Sequence, residues 1–194
     1  MRKRTNSERG VSLIEALVVV AIASVMFAIA TPSFLQSYRT YQLNNAAAQV
    51  AGILKTTRFQ AIRLNTPINF VIQAAAGQTN MWAATDGTLV KKPTEPQTLL
   101  SGNVNLVQAA IVPNTGGLTA LIGVPALTAT PLNGVADTFD GRGAANPAAG
   151  PGVFVLYVAN TAIPAMGYRA VVLMPSGSVQ VWSADRAGAW HQSN

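Results

Sequence analysis

The sequence predicts an α+β chain: one long N-terminal helix, apolar in its first half and amphipathic in its second, packed on an antiparallel β-rich head. Three observations carry that expectation. Val11 to Ala30 is apolar apart from Ser12, Glu15 and Ser24, about the 20 residues a helix needs to cross a hydrocarbon layer. From Phe34 to Leu64 apolar residues recur at spacings of three and four, the signature of a helix with one buried face. Beyond Pro67 the period falls to two, which is that of strands. A helix followed by strands on short turns implies an antiparallel sheet laid on that helix.

Residues 1–10, Met-Arg-Lys-Arg-Thr-Asn-Ser-Glu-Arg-Gly, are polar and without pattern, and they read as a leader that plays no part in the fold. Half of the chain's net charge of +6 lies there, from Arg2, Lys3, Arg4 and Arg9 against Glu8. Cations ahead of a first membrane helix hold that end in the cytoplasm and send the remainder across. Residues 11–35 then form a transmembrane helix, residues 36–65 its amphipathic continuation and residues 66–194 the head. Within the first segment each Leu, Ile, Val or Phe favours insertion by about 0.3–0.6 kcal/mol, so ten of them outweigh the roughly 2.5–3.5 kcal/mol cost of a central acid.

Glu15 still needs a counter-charge at membrane depth. No Lys or Arg lies between residues 10 and 38, so the partner comes from outside the helix. A cut between Gly10 and Val11 would create a terminal amine at the right depth, most naturally offered by a neighbouring copy of a similar helix. An ordinary signal peptide cleaved after Ala28-Ile29-Ala30 fits less well, because its apolar core is about 7–15 residues long and here a longer core contains an acid.

Pro32 removes a helix hydrogen bond and bends or loosens the helix without having to end it. Pro67 stops the helix, since the residue before a proline is pushed out of helical geometry. Ile68–Gln73 and Thr79–Ala84 read as a hairpin, with Asp86-Gly87 turning the chain again. Leu99–Val107 reads as one strand, residues 108–135 as a long loop or short edge strands, residues 137–143 as a turn and residues 144–152 as a small-residue linker. Val153–Ala159 is a further strand. Tyr168–Met174 and Ser178–Ser183 form a C-terminal hairpin across Pro175-Ser176-Gly177.

The chain has no cysteine, which excludes disulfides, thiol chemistry and Cys-based metal sites. The charged fraction is 10% and the hydrophobic fraction 49%, which fits a packed domain and not a disordered or strongly electrostatic one. No catalytic set is legible: His191, the sole histidine, reads as a flexible surface residue, and no His–acid pair is present to activate a serine. The acids Asp137 and Asp140 flank a turn and read as turn-forming residues more readily than as cation ligands. No metal or cofactor is implied. Trp82 and Trp182 are expected to pack against the sheet's helix; Trp190 carries no clear assignment.

The pattern of a short basic leader ending in Gly10, then an apolar helix from Val11 with Glu15 at its fifth position, resembles the class III signal of type IV pilins and pseudopilins. Val11 stands where Phe or Met is usual. The resemblance implies cleavage after Gly10 by a membrane-embedded prepilin peptidase, methylation of the Val11 amine, and assembly with other pilins through Glu15 and the helix. It also implies a kink or melting point at Pro32. The implied location is the inner membrane, with the head in the periplasm and secreted cargo or an outer-membrane secretin as further partners. Three looser stretches, Leu54–Asn65, Phe139–Gly143 and Val172–Gly177, are similar to the GspH/FimT branch. Some members of that branch bind DNA through a Gly-Arg-x-Arg motif in the last hairpin. Here Gly177-Ser178-Val179-Gln180 stands at that place, which leaves Lys91, Lys92 and Arg186 as candidate nucleic-acid contacts and makes DNA the weaker expectation.

Overall fold

The computed structural model describes residues 12–75, 77–86, 89–100, 102–129, 131–147 and 152–193. Helix α1 runs from Leu13 to Leu64, 52 residues, without interruption at Pro32. Proline supplies no N–H to the Ala28 carbonyl one turn back. Hydroxyls bond to the backbone in the turns leading into that gap: Thr31 Oγ1 donates to the Phe27 carbonyl at 2.6 Å and Ser24 Oγ to the Val20 carbonyl at 2.8 Å. The helix ends as its sequence predicts, and the cap shows how. Asn65 turns left-handed at φ 49, and the N–H groups of Asn65 and Thr66 reach back to the Ile62 and Ala61 carbonyls, both at 3.3 Å. That double bond pattern satisfies carbonyls the helix leaves open.

The chain divides into two compact units at Arg39/Thr40. In the first, apolar side chains from Leu13 to Leu35 are exposed around the helix. In the second, α1 buries one face, Leu43, Ala46, Ala47, Val50, Leu54 and Ala61. Two sheets pack on that face. The first contains β1 (Ile68–Ala75), β2 (Gln78–Ala84), β3 (Gln97–Leu100), β6 (Asn133–Phe139) and β7 (Ala145–Pro147), in the order β3-β2-β1-β6-β7 and antiparallel throughout. The second is ordered β11-β10-β9-β8-β4, from β4 (Val104–Val107), β8 (Val153–Asn160), β9 (Tyr168–Leu173), β10 (Val179–Ala184) and β11 (Trp190–Gln192). A short β5 (Leu127–Ala129) joins it parallel to the start of β8. Phe70, Ile72 and Phe139 of the first sheet meet Phe154, Leu156 and Val171 of the second in one core around α1.

Four expectations need correction. Leu99–Val107 is two strands in different sheets, because Gly102 turns at φ 79 and the Asn105 amide pins that turn by donating to the Gly102 and Gly77 carbonyls at 2.7 and 2.9 Å. Residues 108–135 hold a 3-10 turn at Ala109–Ile111, helix α2 (Thr115–Ile122), β5 and the start of β6. Leu118 and Val112 from this segment are buried over the outer face of the second sheet with Tyr157, Trp182 and Trp190. That face carries a second apolar core to which α1 contributes no buried residue among the described residues, and β8 gives no alternation to reveal it because all eight of its residues are buried. The turn expected from Asp137 begins only at Asp140, and the linker after it includes β7. Finally, Trp82 and Trp182 do pack, but on the sheet faces away from α1: Trp82 lies with Val71 and Ala84, and Trp182 lies in the second core.

Candidate functional sites on the helix and the head

In the first unit the junction expected to be cut, Gly10–Val11, lies outside the described residues. Glu15 stands in the first turn of α1, exposed, and forms no ion pair among the described residues. The helix around it contains an 18-residue window of mean hydropathy 2.6, none of it buried, long and apolar enough to cross a membrane. Pro32 lies inside the same unbroken helix.

In the second unit the three stretches singled out in the sequence come together at the end of α1. Arg58 Nε donates to the Gly143 carbonyl at 3.0 Å, and the Ala145 N–H donates to the Pro175 carbonyl at 3.0 Å. The turns are glycine-lined for a steric reason. A Cβ on Gly177, whose φ is 76, would lie 2.0 Å from the Gly143 carbonyl oxygen, and one on Gly141 would lie 2.7 Å from Asn65 Oδ1. The first is a clash with backbone that no side chain can relieve; the second would force the Asn65 amide aside and press on its backbone carbon at 3.0 Å. Asp140 Oδ1 accepts from the Arg142 and Ala144 N–H groups at 2.9 and 2.8 Å, so its carboxylate shapes the turn. This junction is a packing device.

Asp137 differs from the turn residue expected of it. It sits in β6, fully buried. Its Oδ1 accepts from the Thr138 N–H at 2.6 Å, while Oδ2 is buried without a partner. Loss of hydration raises its pKa to about 7, only partly opposed by the Thr138 hydrogen bond and the facing backbone of Asn146.

The candidate nucleic-acid contacts do not form one patch on one element. Lys91 and Lys92 lie between β2 and β3 of the first sheet, and Arg186 lies in the β10–β11 turn of the second. The Lys92 ammonium is engaged by the Asp86 carboxylate, whose hydrogen bond raises the lysine's pKa. Lys91 and Arg186 are exposed.

A second group of cations was less visible in the sequence. A groove of about 570 Å³ runs between α1, from Asn44 to Lys55, and the last strands, with Arg169, Gln180 and His191 in its lining. His191 is not in a flexible tail: it belongs to β11, paired with Ser183, and its Nε2 lies 2.7 Å from Ser183 Oγ. No acid contacts the other ring nitrogen among the described residues, so this contact secures an edge strand and does not form a hydrolytic triad. Trp190 is buried beside Tyr157 with ring centroids 6.1 Å apart, and its Nε1 donates to the Asn114 carbonyl at 3.1 Å.

Against known proteins, residues 5–31 match the prokaryotic N-terminal methylation motif. No curated protein and no solved structure matches the chain. The matched segment contains Gly10, Val11 and Glu15 and runs into α1, and α1 is followed by antiparallel sheets. The chain is therefore type IV pilin-like in motif and in architecture. The motif implies processing by a prepilin peptidase and assembly with other pilins, is consistent with anchoring in an inner membrane, and points to a structural role in place of a catalytic one.

Proposed function

We propose that this chain is a minor pilin or pseudopilin of the GspH/FimT branch, cleaved between Gly10 and Val11, methylated on the Val11 amine, and built into a type II secretion pseudopilus or a type IV pilus. In this reading the head faces the periplasm, and α1 packs among the helices of neighbouring subunits. Glu15 answers the terminal amine of an adjacent subunit and sets axial register, and Pro32 gives the helix a point of yielding. Secreted cargo or an outer-membrane secretin contacts the head.

One observation supports the proposal: a carboxylate, Glu15, with no ion pair among the described residues, in the first turn of a helix whose first half is otherwise apolar, inside a segment that matches the methylation motif. A buried charge at membrane depth demands a partner, and assembly supplies it. DNA capture has less support, since Lys92 is held by Asp86 and no arginine stands between Gly177 and Gln180.

The test has two arms. Mass analysis of the mature protein should find N-methylated Val11 as its first residue; a start at Met1 or Thr31 removes the filament account. Glu15→Leu should insert into the membrane as well as the parent but be recovered in sheared filaments at about a tenth of the parent's level or less. Equal recovery would end the register role while leaving processing untouched.

A further inference from the structure

On the face of the second sheet that looks toward α1, Val158, Arg169, Ser183 and His191 are successive cross-strand neighbours, and such neighbours share a face. Val158 belongs to the apolar core; the other three line the groove. Arg169 is only 7% exposed. Its Nε donates to Asn44 Oδ1 at 2.7 Å and Nη1 donates to the Tyr168 carbonyl at 2.8 Å, both uncharged acceptors. No carboxylate reaches it among the described residues, and burial alone lowers its pKa. A charge withdrawn from water without a counter-charge is a standing cost.

The head's own acids are already engaged. Asp86 holds Lys92. Glu95 accepts from the Thr85 and Lys92 N–H groups at 2.9 and 3.0 Å. Asp140 shapes its turn, Asp185 accepts from the Ala189 N–H at 2.9 Å, and Asp137 is buried in β6. The head of a second copy would bring the same five acids, each already held in an ion pair, a turn or the core, and its Glu15 stands in the apolar first half of α1 and not on the head, so the missing charge is assigned to another protein.

The groove also has an open strand edge. Among the described residues, strand β11 pairs with Trp182–Ala184 of β10, and the last bond on that side is from the Ser193 N–H to the Val181 carbonyl at 2.9 Å. Backbone groups of alternate residues in an antiparallel strand point to the same side, which turns those of Val179 to the edge that β11 does not cover. An extended segment can add there by main-chain hydrogen bonds.

We propose that this groove docks an extended acidic segment of a different protein, which lies along β10 at Val179 and places one carboxylate on Arg169, with Lys55 at the rim. The occupant is peptide and not nucleic acid because a single, nearly buried guanidinium suits one planar anion, whereas a phosphate backbone is followed by a line of exposed cations. The proposal does not depend on how the N-terminal segment is processed.

The test uses the full chain in detergent micelles and three fluorescent probes: a capped peptide with one Glu between two Val, its Gln counterpart, and a single-stranded oligonucleotide. Anisotropy titrations should show the Glu peptide binding about tenfold more tightly than the Gln peptide, the order expected of one charge-assisted contact. Arg169→Gln should abolish that preference. Lys55→Gln, at an exposed helix position and safe for folding, should weaken the Glu peptide about threefold by loss of a rim charge. Equal binding of the two peptides overturns the proposal, as does a failure of both to bind. So does an oligonucleotide that binds while the Glu peptide does not and loses its affinity in Lys55→Gln.

Discussion

The two halves of α1 share one unbroken helix and have opposite requirements. Leu17, Val20 and Phe27 in the first half are 59%, 63% and 72% exposed, whereas Leu43, Val50 and Leu54 in the second are 0% exposed. The first half is apolar all round its circumference, so it is stable as a helix only where lipid or other apolar helices replace water. The second half concentrates its apolar residues on one face and leaves Lys55 and Arg63 exposed. A continuous helix does not mean a continuous environment; the distribution of side chains around it does.

The sharpest way to break this contrast is to remove the same side chain from each half. All three tryptophans, Trp82, Trp182 and Trp190, belong to the second unit, so their fluorescence in a urea titration of the full chain reports the head alone. Leu54→Ala should lower head stability by about 2–5 kcal/mol, because it opens a cavity in a filled core. Leu17→Ala should leave the head's midpoint where it was. Equal shifts from the two variants would show that the head's stability depends on the first half and that the two halves are not independent.

A second comparison sets the buried acid against the exposed one. Glu15 is exposed, whereas Asp137 is enclosed by its own sheet with one oxygen unpartnered. Its folded pKa of about 7 lies above the ordinary 3.8. The folded state therefore holds this proton more tightly than the unfolded chain. The stability tied to it is fully present below pH 3.8 and is lost as pH rises through about 7. At 1.36 kcal/mol per unit, the loss is about 2–4 kcal/mol between pH 4 and pH 8. Asp137→Asn should flatten that decline and unfold at a higher urea concentration than the parent at pH 8. A parent whose midpoint rises across this range would place the acid's pKa below its ordinary value and refute the argument.

The sequence reveals most where one period and one stop signal agree. The helix from Leu13 to Leu64, its stop before Pro67, the first hairpin and the strands at Val153 and Tyr168 were all legible, because apolar spacing distinguishes a one-sided helix from a strand. The second core was not. Strand β8 is buried on both faces, so it shows no alternation, and the residues that cover its outer side are spread among the Gly, Pro and Thr of residues 108–127. The groove was invisible for a related reason. Arg169 and Asn44 are 125 positions apart, and nothing near Arg169 in the sequence says that its charge would be buried beside a helix without an acid. His191 looked like tail because three-residue strands carry too little pattern to register.

The smallest predicted effect comes from two asparagines that share a left-handed backbone but differ in what their side chains do. Asn65, at φ 49, caps α1 through its backbone, and its side chain makes no hydrogen bond among the described residues. Asn114, at φ 53, caps α2: its Oδ1 accepts from the Gly117 N–H at 3.1 Å and its Nδ2 donates to the Gly188 carbonyl at 2.9 Å, which ties α2 to the turn before β11. Glycine adopts this backbone freely, so both Asn→Gly changes keep the turn and isolate the side chain's share. Asn65→Gly should change head stability by no more than a few tenths of a kcal/mol. Asn114→Gly should cost about 1 kcal/mol, the loss of two hydrogen bonds partly offset by relief of the left-handed asparagine. Amide exchange of Trp190–Gln192 should quicken in the second variant only, because that strand is held at the edge of its sheet by the Asn114 clasp and by its pairing with β10. If Asn65→Gly proved the costlier change, the second core would not depend on the α2 cap, and the fastening of β11 would have to be assigned to Trp190 and the Ser183–His191 contact alone.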